Sequence, residues 1–214
     1  MAVKNGDFIE IEYSGSLEDG SSFDRSEAPI IICLGEQHIL PGLEKKLVGL
    51  EVGREYEISI SPEEGFGVRN AKLIRLIPIS RFLKENIEPV PGLEVSIDGI
   101  LGVVKAVTGG RVLVDMNHPL AGKKLNYKIK IIREVKDEKE KAEAILKMRV
   151  GEEKFQILTE KELLTIQTER KLPEEVEEKV SEEIKRHTNF KQVNFQTKSE
   201  SENKKESKAQ AGKI

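Results

Sequence analysis

Apolar and polar positions alternate along much of the first half of the chain, and the alternation predicts strands. Between Phe8 and Tyr13, residues Ile9, Ile11 and Tyr13 share one face, the period-two pattern of a half-buried strand. Tyr56, Ile58 and Ile60 do the same within Glu55 to Ser61, and YKIKIIREV repeats it from Tyr127 to Val135. Ile30-Ile31-Ile32-Cys33-Leu34 is a continuous apolar run, short enough to be a buried strand. Pro41 to Leu47 leaves room for about two helical turns before Gly49, a residue type that commonly ends helices. Residues 1–70 and 121–135 therefore read as one small sheet wrapped on one short helix.

The stretch between them has a different texture. Leu76 to Pro91 carries three prolines, while Leu93 to Ile97 and Ile100 to Val107 look like strands. Thr108-Gly109-Gly110 turns the chain into Arg111 to Asp115, the strongest hairpin signal present. Asn117 to Gly122 closes what reads as a small β-rich domain inserted into a loop of the first.

From Lys136 the composition shifts to Lys and Glu. Residues 137–148 read as a helix, and 154–158 and 163–167 as strands. Pro173 to His187 is a well-signed helix, with Glu174 and Glu175 in its first turn and Lys185, Arg186 and His187 in its last, matching the helix dipole. Its apolar stripe is narrow: Val176, Val180 and Ile184. Such a helix needs packing partners, supplied by its own strands, by the body of the protein or by a second copy of the chain. Phe190 to Phe195 reads as a returning strand. Beyond Lys198 almost nothing is apolar, and disorder is expected.

Composition narrows the function. With 214 residues, 37% hydrophobic and 34% charged, the chain is expected to be soluble and globular with a real core. The net charge is −3, and no basic block interleaves with aromatics, so no nucleic-acid partner is expected. The start lacks an apolar leader-like stretch and no long apolar run follows, so no membrane partner is expected. Cys33 is the single cysteine, which fits a reducing, cytoplasmic compartment. His38 is expected to be an exposed loop residue, His118 a turn residue and His187 a helix C-terminal cation. No metal site and no cofactor are called for.

Aromatic residues make up only 5% and Trp is absent, so each aromatic cluster carries information. Aromatic and aliphatic groups gather around one carboxylate, Asp24, with no nucleophile beside it. Such a pocket would bind an apolar ring and do its chemistry, if any, without proton transfer.

The spaced residues Tyr13, Gly15, Leu17, Asp19-Gly20 and Phe23-Asp24, then Leu34-Gly35, Gly42-Leu43-Glu44, Gly49, Gly53, Ser61-Pro62-Glu63 and Phe66-Gly67 resemble the FKBP family of peptidyl-prolyl cis/trans isomerases. The closing segment Asn117-His118-Pro119-Leu120-Ala121-Gly122-Lys123 resembles the SlyD-like subgroup, in which an insert-in-flap domain acts as a chaperone module. The texture beyond Lys136 is similar to that of long archaeal-type members with a C-terminal extension. The resemblance implies an α+β fold: an FKBP-type antiparallel sheet wrapped on a short helix, an inserted β-rich domain and a small C-terminal α/β domain. The expected boundaries are 1–74 with 121–136 for the isomerase domain, 75–120 for the insert, 137–197 for the C-terminal domain and 198–214 for a disordered tail.

The same resemblance implies a pocket. Asp24, Tyr13, Phe66 and Tyr127 would act on the twisting bond, and Phe23, Ile30, Ile39, Leu40 and Leu43 would bind substrate. The proline ring would rest on Leu43 and the Leu40 N–H would bind a substrate carbonyl. Two departures stand out: Leu43 replaces a tryptophan common in eukaryotic members, and Phe66 replaces a tyrosine whose hydroxyl bonds substrate. Losing one neutral hydrogen bond should cost about 0.5–1.5 kcal/mol, weakening small-ligand binding while leaving activity. Unfolded or nascent polypeptides with X-Pro bonds are the expected partners, aided by Leu76, Ile77, Phe82, Leu83, Ile87, Val90, Leu101 and Val103 in the insert. The C-terminal domain is where a homodimer would form. A non-catalytic holdase on the same fold is the competing reading.

Overall fold

The computed structural model describes residues 1–151 and 154–197; the tail expected to be disordered, 198–214, lies outside the described residues. In chain order the elements are β1 (Phe8–Leu17), β2 (Ser22–Arg25), β3 (Ile30–Cys33), α1 (Pro41–Leu47), β4 (Glu55–Ile60), β5 (Ile74–Pro78), α2 (Ile79–Lys84), β6 (Glu94–Ile97), β7 (Ile100–Thr108), β8 (Arg111–Asp115), β9 (Leu125–Val135), α3 (Glu138–Val150), β10 (Phe155–Glu160), β11 (Leu163–Thr168), α4 (Glu174–His187) and β12 (Gln192–Thr197). The chain is mixed α+β and divides into two compact units. One comprises Met1–Gly15, Ser22–Ile58 and the chain from Tyr127 onward; the other comprises Ser16–Ser21 and Ser59–Asn126.

In the first unit, β1 sits between β2 and β9, with β4 beyond β9 and β3 also paired to β1. The β1–β3 register is antiparallel, from Phe8 opposite Cys33 to Ile11 opposite Ile30. Ile9 and Ile11 are fully buried as the alternation requires, but Phe8 on the opposite face is buried as well. Its ring belongs to a cluster with Cys33, Ala142, Ile145, Leu146, Val180 and Ile184. The start of β1 is thus covered on both faces, because α3 and α4 pack there. Full burial of one such aromatic side chain contributes about 1.5–3 kcal/mol. The stripe of α4 finds its partner in the body of this unit and in its own strands.

That C-terminal part has clear local causes. The Asp137 side chain accepts the Glu140 N–H at 2.8 Å and caps α3, as N-cap carboxylates do. Gly151 follows α3 with φ +76°. β10 and β11 form an antiparallel hairpin, whereas β11 and β12 run parallel, with α4 as the crossover between them, the connection that parallel neighbours need. Phe190 belongs to the core rather than to β12, which begins two residues later than the pattern suggested.

In the second unit the strand order is β5-β8-β7-β6. The β7–β8 hairpin turns at Gly109 (φ +57°) and Gly110 (φ +73°), and two consecutive left-handed residues suit a tight hairpin. Ile77, Phe82, Val95, Ile97, Val104, Val112, Val114 and Met116 form its core. Neither β5 nor α2 was legible in the sequence, because the prolines of this stretch argue against regular structure. Pro78 is tolerated because it ends β5, an edge strand, where one missing N–H costs no ladder bond. β2, four residues long and mostly exposed, was missed for want of an apolar pattern.

Candidate active site

The positions named by the resemblance are distributed as follows. Tyr13, Phe23, Asp24, Ile30, Ile39, Leu40, Leu43 and Tyr127 lie in the first unit and Phe66 in the second. In the first unit the aromatic side chains converge. The Tyr13 and Tyr127 rings are 6.3 Å apart and tilted, and Phe23 meets Tyr127 edge-on at 5.6 Å, an arrangement aromatic quadrupoles favour. Tyr127 is buried and Tyr13 and Phe23 half-buried, so the cluster presents an apolar wall with partial access to water.

Asp24 is exposed, on β2 directly after Phe23. Burial pushes the Tyr13 hydroxyl up, and the Asp24 charge and a hydrogen bond to its carboxylate push it further. Tyr127 is pushed up to about 12, chiefly by burial, then by the charge of Asp24 and by Tyr13. Both phenols therefore remain protonated at neutral pH, with Tyr13 donating to Asp24. The Tyr13 backbone is pinned on both sides, its N–H donating to Ser26 Oγ at 3.0 Å and its carbonyl accepting the Ser26 N–H at 3.0 Å.

Leu40 caps α1, its carbonyl accepting the amides of Leu43 and Glu44 at 2.9 and 3.0 Å. Leu43 is buried at 4% exposure, whereas Ile30, Ile39 and Leu40 are half-buried. Phe66 stacks on His118, with ring centroids 4.3 Å apart and planes 4° from parallel, and the Leu120 N–H donates to His118 Nδ1.

His38 departs from expectation: its side chain is 1% exposed, not a solvated loop residue. Its Nδ1 accepts the Cys33 N–H at 3.1 Å and its Nε2 meets Glu183 Oε1 at 2.8 Å. His187 likewise does more than face a helix end. It pairs with Glu36 at 2.7 Å and meets Phe8 edge-on at 5.6 Å. The sequence reading missed Glu36 and Glu183, since no local pattern couples residues this far apart in the chain. Among the described residues, no group of three or more His, Cys, Asp or Glu could hold a metal ion, and no helix is long and apolar enough to cross a membrane.

A sequence profile described as FKBP-type peptidyl-prolyl cis-trans isomerase matches residues 1–83, and one described as FKBP26, IF domain, matches residues 75–120. The chain is 33% identical over 144 residues to a short-type peptidyl-prolyl cis-trans isomerase of Methanocaldococcus jannaschii, covering 60% of this chain and 92% of that protein. It is 31% identical over 142 residues to the FKBP-type peptidyl-prolyl cis-trans isomerase SlyD of Haemophilus influenzae, covering 62% and 72%. An FKBP-type 16 kDa peptidyl-prolyl cis-trans isomerase of Escherichia coli is 30% identical over 139 residues, covering 61% and 93%. By its motifs and by these relatives, the chain belongs to the FKBP-type peptidyl-prolyl cis-trans isomerase family.

Proposed function

We propose that the cluster of Tyr13, Phe23, Asp24 and Tyr127 is the isomerase pocket and that the inserted domain captures unfolded chains for it. An X-Pro bond prefers trans by only about 0.5–1 kcal/mol, but rotation must cross roughly 18–20 kcal/mol because amide resonance is lost. The twisted amide is less polar than the planar one, so an apolar wall stabilises the transition state more than the ground state. Differential stabilisation is what accelerates, at about 1.4 kcal/mol per tenfold. No general base is required, in keeping with phenols that stay protonated.

The carrying observation is the aromatic cluster closed by one carboxylate, with Asp24 bonded to Tyr13. Asp24 accepts a hydrogen bond from Tyr13 and would supply a charge beside the twisting bond. Ile30, Ile39 and Leu43 would complete the apolar lining, and the Leu40 N–H would take a substrate carbonyl. The role of Phe66 rests on the resemblance alone.

The capture role is supported by apolar surface in the second unit. Leu76 is 61% exposed, Leu83 56%, Val90 50% and Leu101 76%. Ile77 and Phe82, by contrast, are core. Leu101, Val103, Met116, His118 and Pro119 line a hollow of about 390 Å³. Exposed apolar patches of this kind take up apolar segments of other chains, and tethering raises the local concentration of prolyl bonds. Residues 75–120 would act as the chaperone module, and in the segment 137–197 the edge strands β10 and β12 offer a homodimer contact. The free, buried Cys33 supports a reducing, cytoplasmic location.

The deciding experiment measures cis/trans exchange of an Ala-Leu-Pro-Phe peptide beside proline-limited refolding of an unfolded protein. Asp24→Ala should slow both and leave aggregation suppression intact. Leu76→Ser with Leu101→Ser should slow refolding while sparing the peptide. Aggregation suppression without acceleration of either reaction would make the chain a holdase.

A further inference from the structure

We infer that Glu183, on the C-terminal helix α4, is a positioning residue for the isomerase site, acting through His38 on the backbone that presents Ile39 and Leu40. The inference rests on the pocket assignment above and adds a role for α4 in it.

The connection is continuous and buried. Glu183 is 5% exposed at its side chain and His38 1%. Because Nδ1 of His38 accepts the Cys33 N–H, the ring proton sits on Nε2 and donates to Glu183 Oε1 at 2.8 Å. The other carboxylate oxygen, Oε2, accepts Arg149 Nε at 2.7 Å. Glu183 therefore joins α3, α4 and the loop between β3 and α1, with both oxygens occupied.

A second tie from α4 reaches the same loop. Glu36 Oε1 accepts from Arg186 Nη1 at 3.0 Å and pairs with His187 Nε2 at 2.7 Å. Between these two anchors Gln37 holds a left-handed backbone, φ +57°, and its N–H donates to Glu44 Oε1 at 3.2 Å. A non-glycine residue in that conformation is strained and persists only where its surroundings fix it. Residues 36, 37 and 38 are thus each held by a side chain from another part of the chain, immediately before the two residues assigned to substrate. Misplacing a binding group by about 1 Å can cost on the order of 100-fold, so the stiffness of this loop bears directly on Leu40.

Burying an ion pair is a poor way to add stability, because desolvation offsets the attraction, and apolar replacements of similar volume often do as well or better. What a two-sided carboxylate does supply is direction: it fixes the ring plane of His38, and that ring fixes the backbone at Cys33.

The test uses the full chain with Glu183→Ala, Glu183→Gln, Arg149→Ala and Asp24→Ala. Readouts are KM and kcat on the tetrapeptide, the amide resonances of Ile39 and Leu40, and the melting temperature. Loss of a group that binds ground and transition states alike raises KM and leaves kcat. Glu183→Ala should therefore raise KM by about tenfold, equivalent to about 1.4 kcal/mol, with kcat within about twofold and the Ile39 and Leu40 amides displaced. Glu183→Gln, which can still accept from His38, should restore most of the affinity. A folded Glu183→Ala with unchanged KM overturns the inference. If that variant does not fold, Arg149→Ala decides: this residue is 38% exposed at its side chain and holds the other oxygen of Glu183, and an unchanged KM with unmoved amides there overturns the inference equally. Full activity in Asp24→Ala overturns the pocket itself, a failure separable from that of the α4 connection.

Discussion

Phe23 lies over the backbone of Gly15 so closely that a Cβ at position 15 would stand 2.7 Å from its Cζ. The glycine of the motif is therefore a matter of space: it lets the ring settle beside Tyr127. Gly15→Ala should displace Phe23. Overpacking of this kind costs about 1–3 kcal/mol, and activity on a short prolyl peptide should fall by about tenfold. An alanine variant with full activity and unmoved Phe23 ring resonances would show that the contact is incidental.

Asp24 raises both pocket phenols, after burial in each case. Asp24→Asn removes the charge but keeps an acceptor. The alkaline titration of tyrosinate absorbance should then begin at lower pH, with Tyr13 moving part of the way back toward about 10. Because burial is the larger cause, the return will be incomplete. A curve that superimposes on that of the unaltered protein would sink the assignment of Asp24 to Tyr13.

Three buried or half-buried carboxylates make the fold sensitive to acid. Burial pushes Glu183 up, but the bonds from His38 and Arg149 outweigh it and hold it below the usual range. Glu36 is held low in the same way by His187 and Arg186, and Asp115 by Asn117 and Arg69. For a carboxylate whose folded pKa is depressed, the stabilisation is complete above the unfolded pKa, about 4, and disappears as pH falls through the folded one. The melting temperature should hold steady from neutral pH down to about 5 and drop below about 4. Glu183→Gln should flatten that drop; an equally steep fall in the variant would refute the attribution.

Cys33 is fully buried, and its thiol is pushed up to about 12 by burial and then by the surrounding carboxylates, Glu36 foremost. Thiolate, not thiol, is the reactive form. A thiol reagent at neutral pH should label the native protein only as fast as the structure opens, and at once in denaturant. Immediate labelling of the native chain would show that the β3 end is not closed as described.

The amino-acid sequence determined the local elements wherever period and punctuation agreed. The apolar alternation of β1, β4 and β9, the proline and Gly49 around α1, and the paired glycines of the β7–β8 turn each act over a few residues, and each was legible. The sequence also singled out Tyr13, Phe23 and Asp24 through a spaced motif that resembles a family, and Tyr127 only through what that resemblance implies. Three things were decided only in three dimensions. Phe8 is buried because α3 and α4 cover a face of β1 that alternation assigns to solvent. β5 and α2 form because the inserted sheet supplies partners that a proline-rich stretch does not advertise. His38 is buried because Glu183, 145 positions away, comes to meet it. Local propensity is written in neighbouring residues, whereas burial and the pairing of charges depend on which distant surfaces pack together.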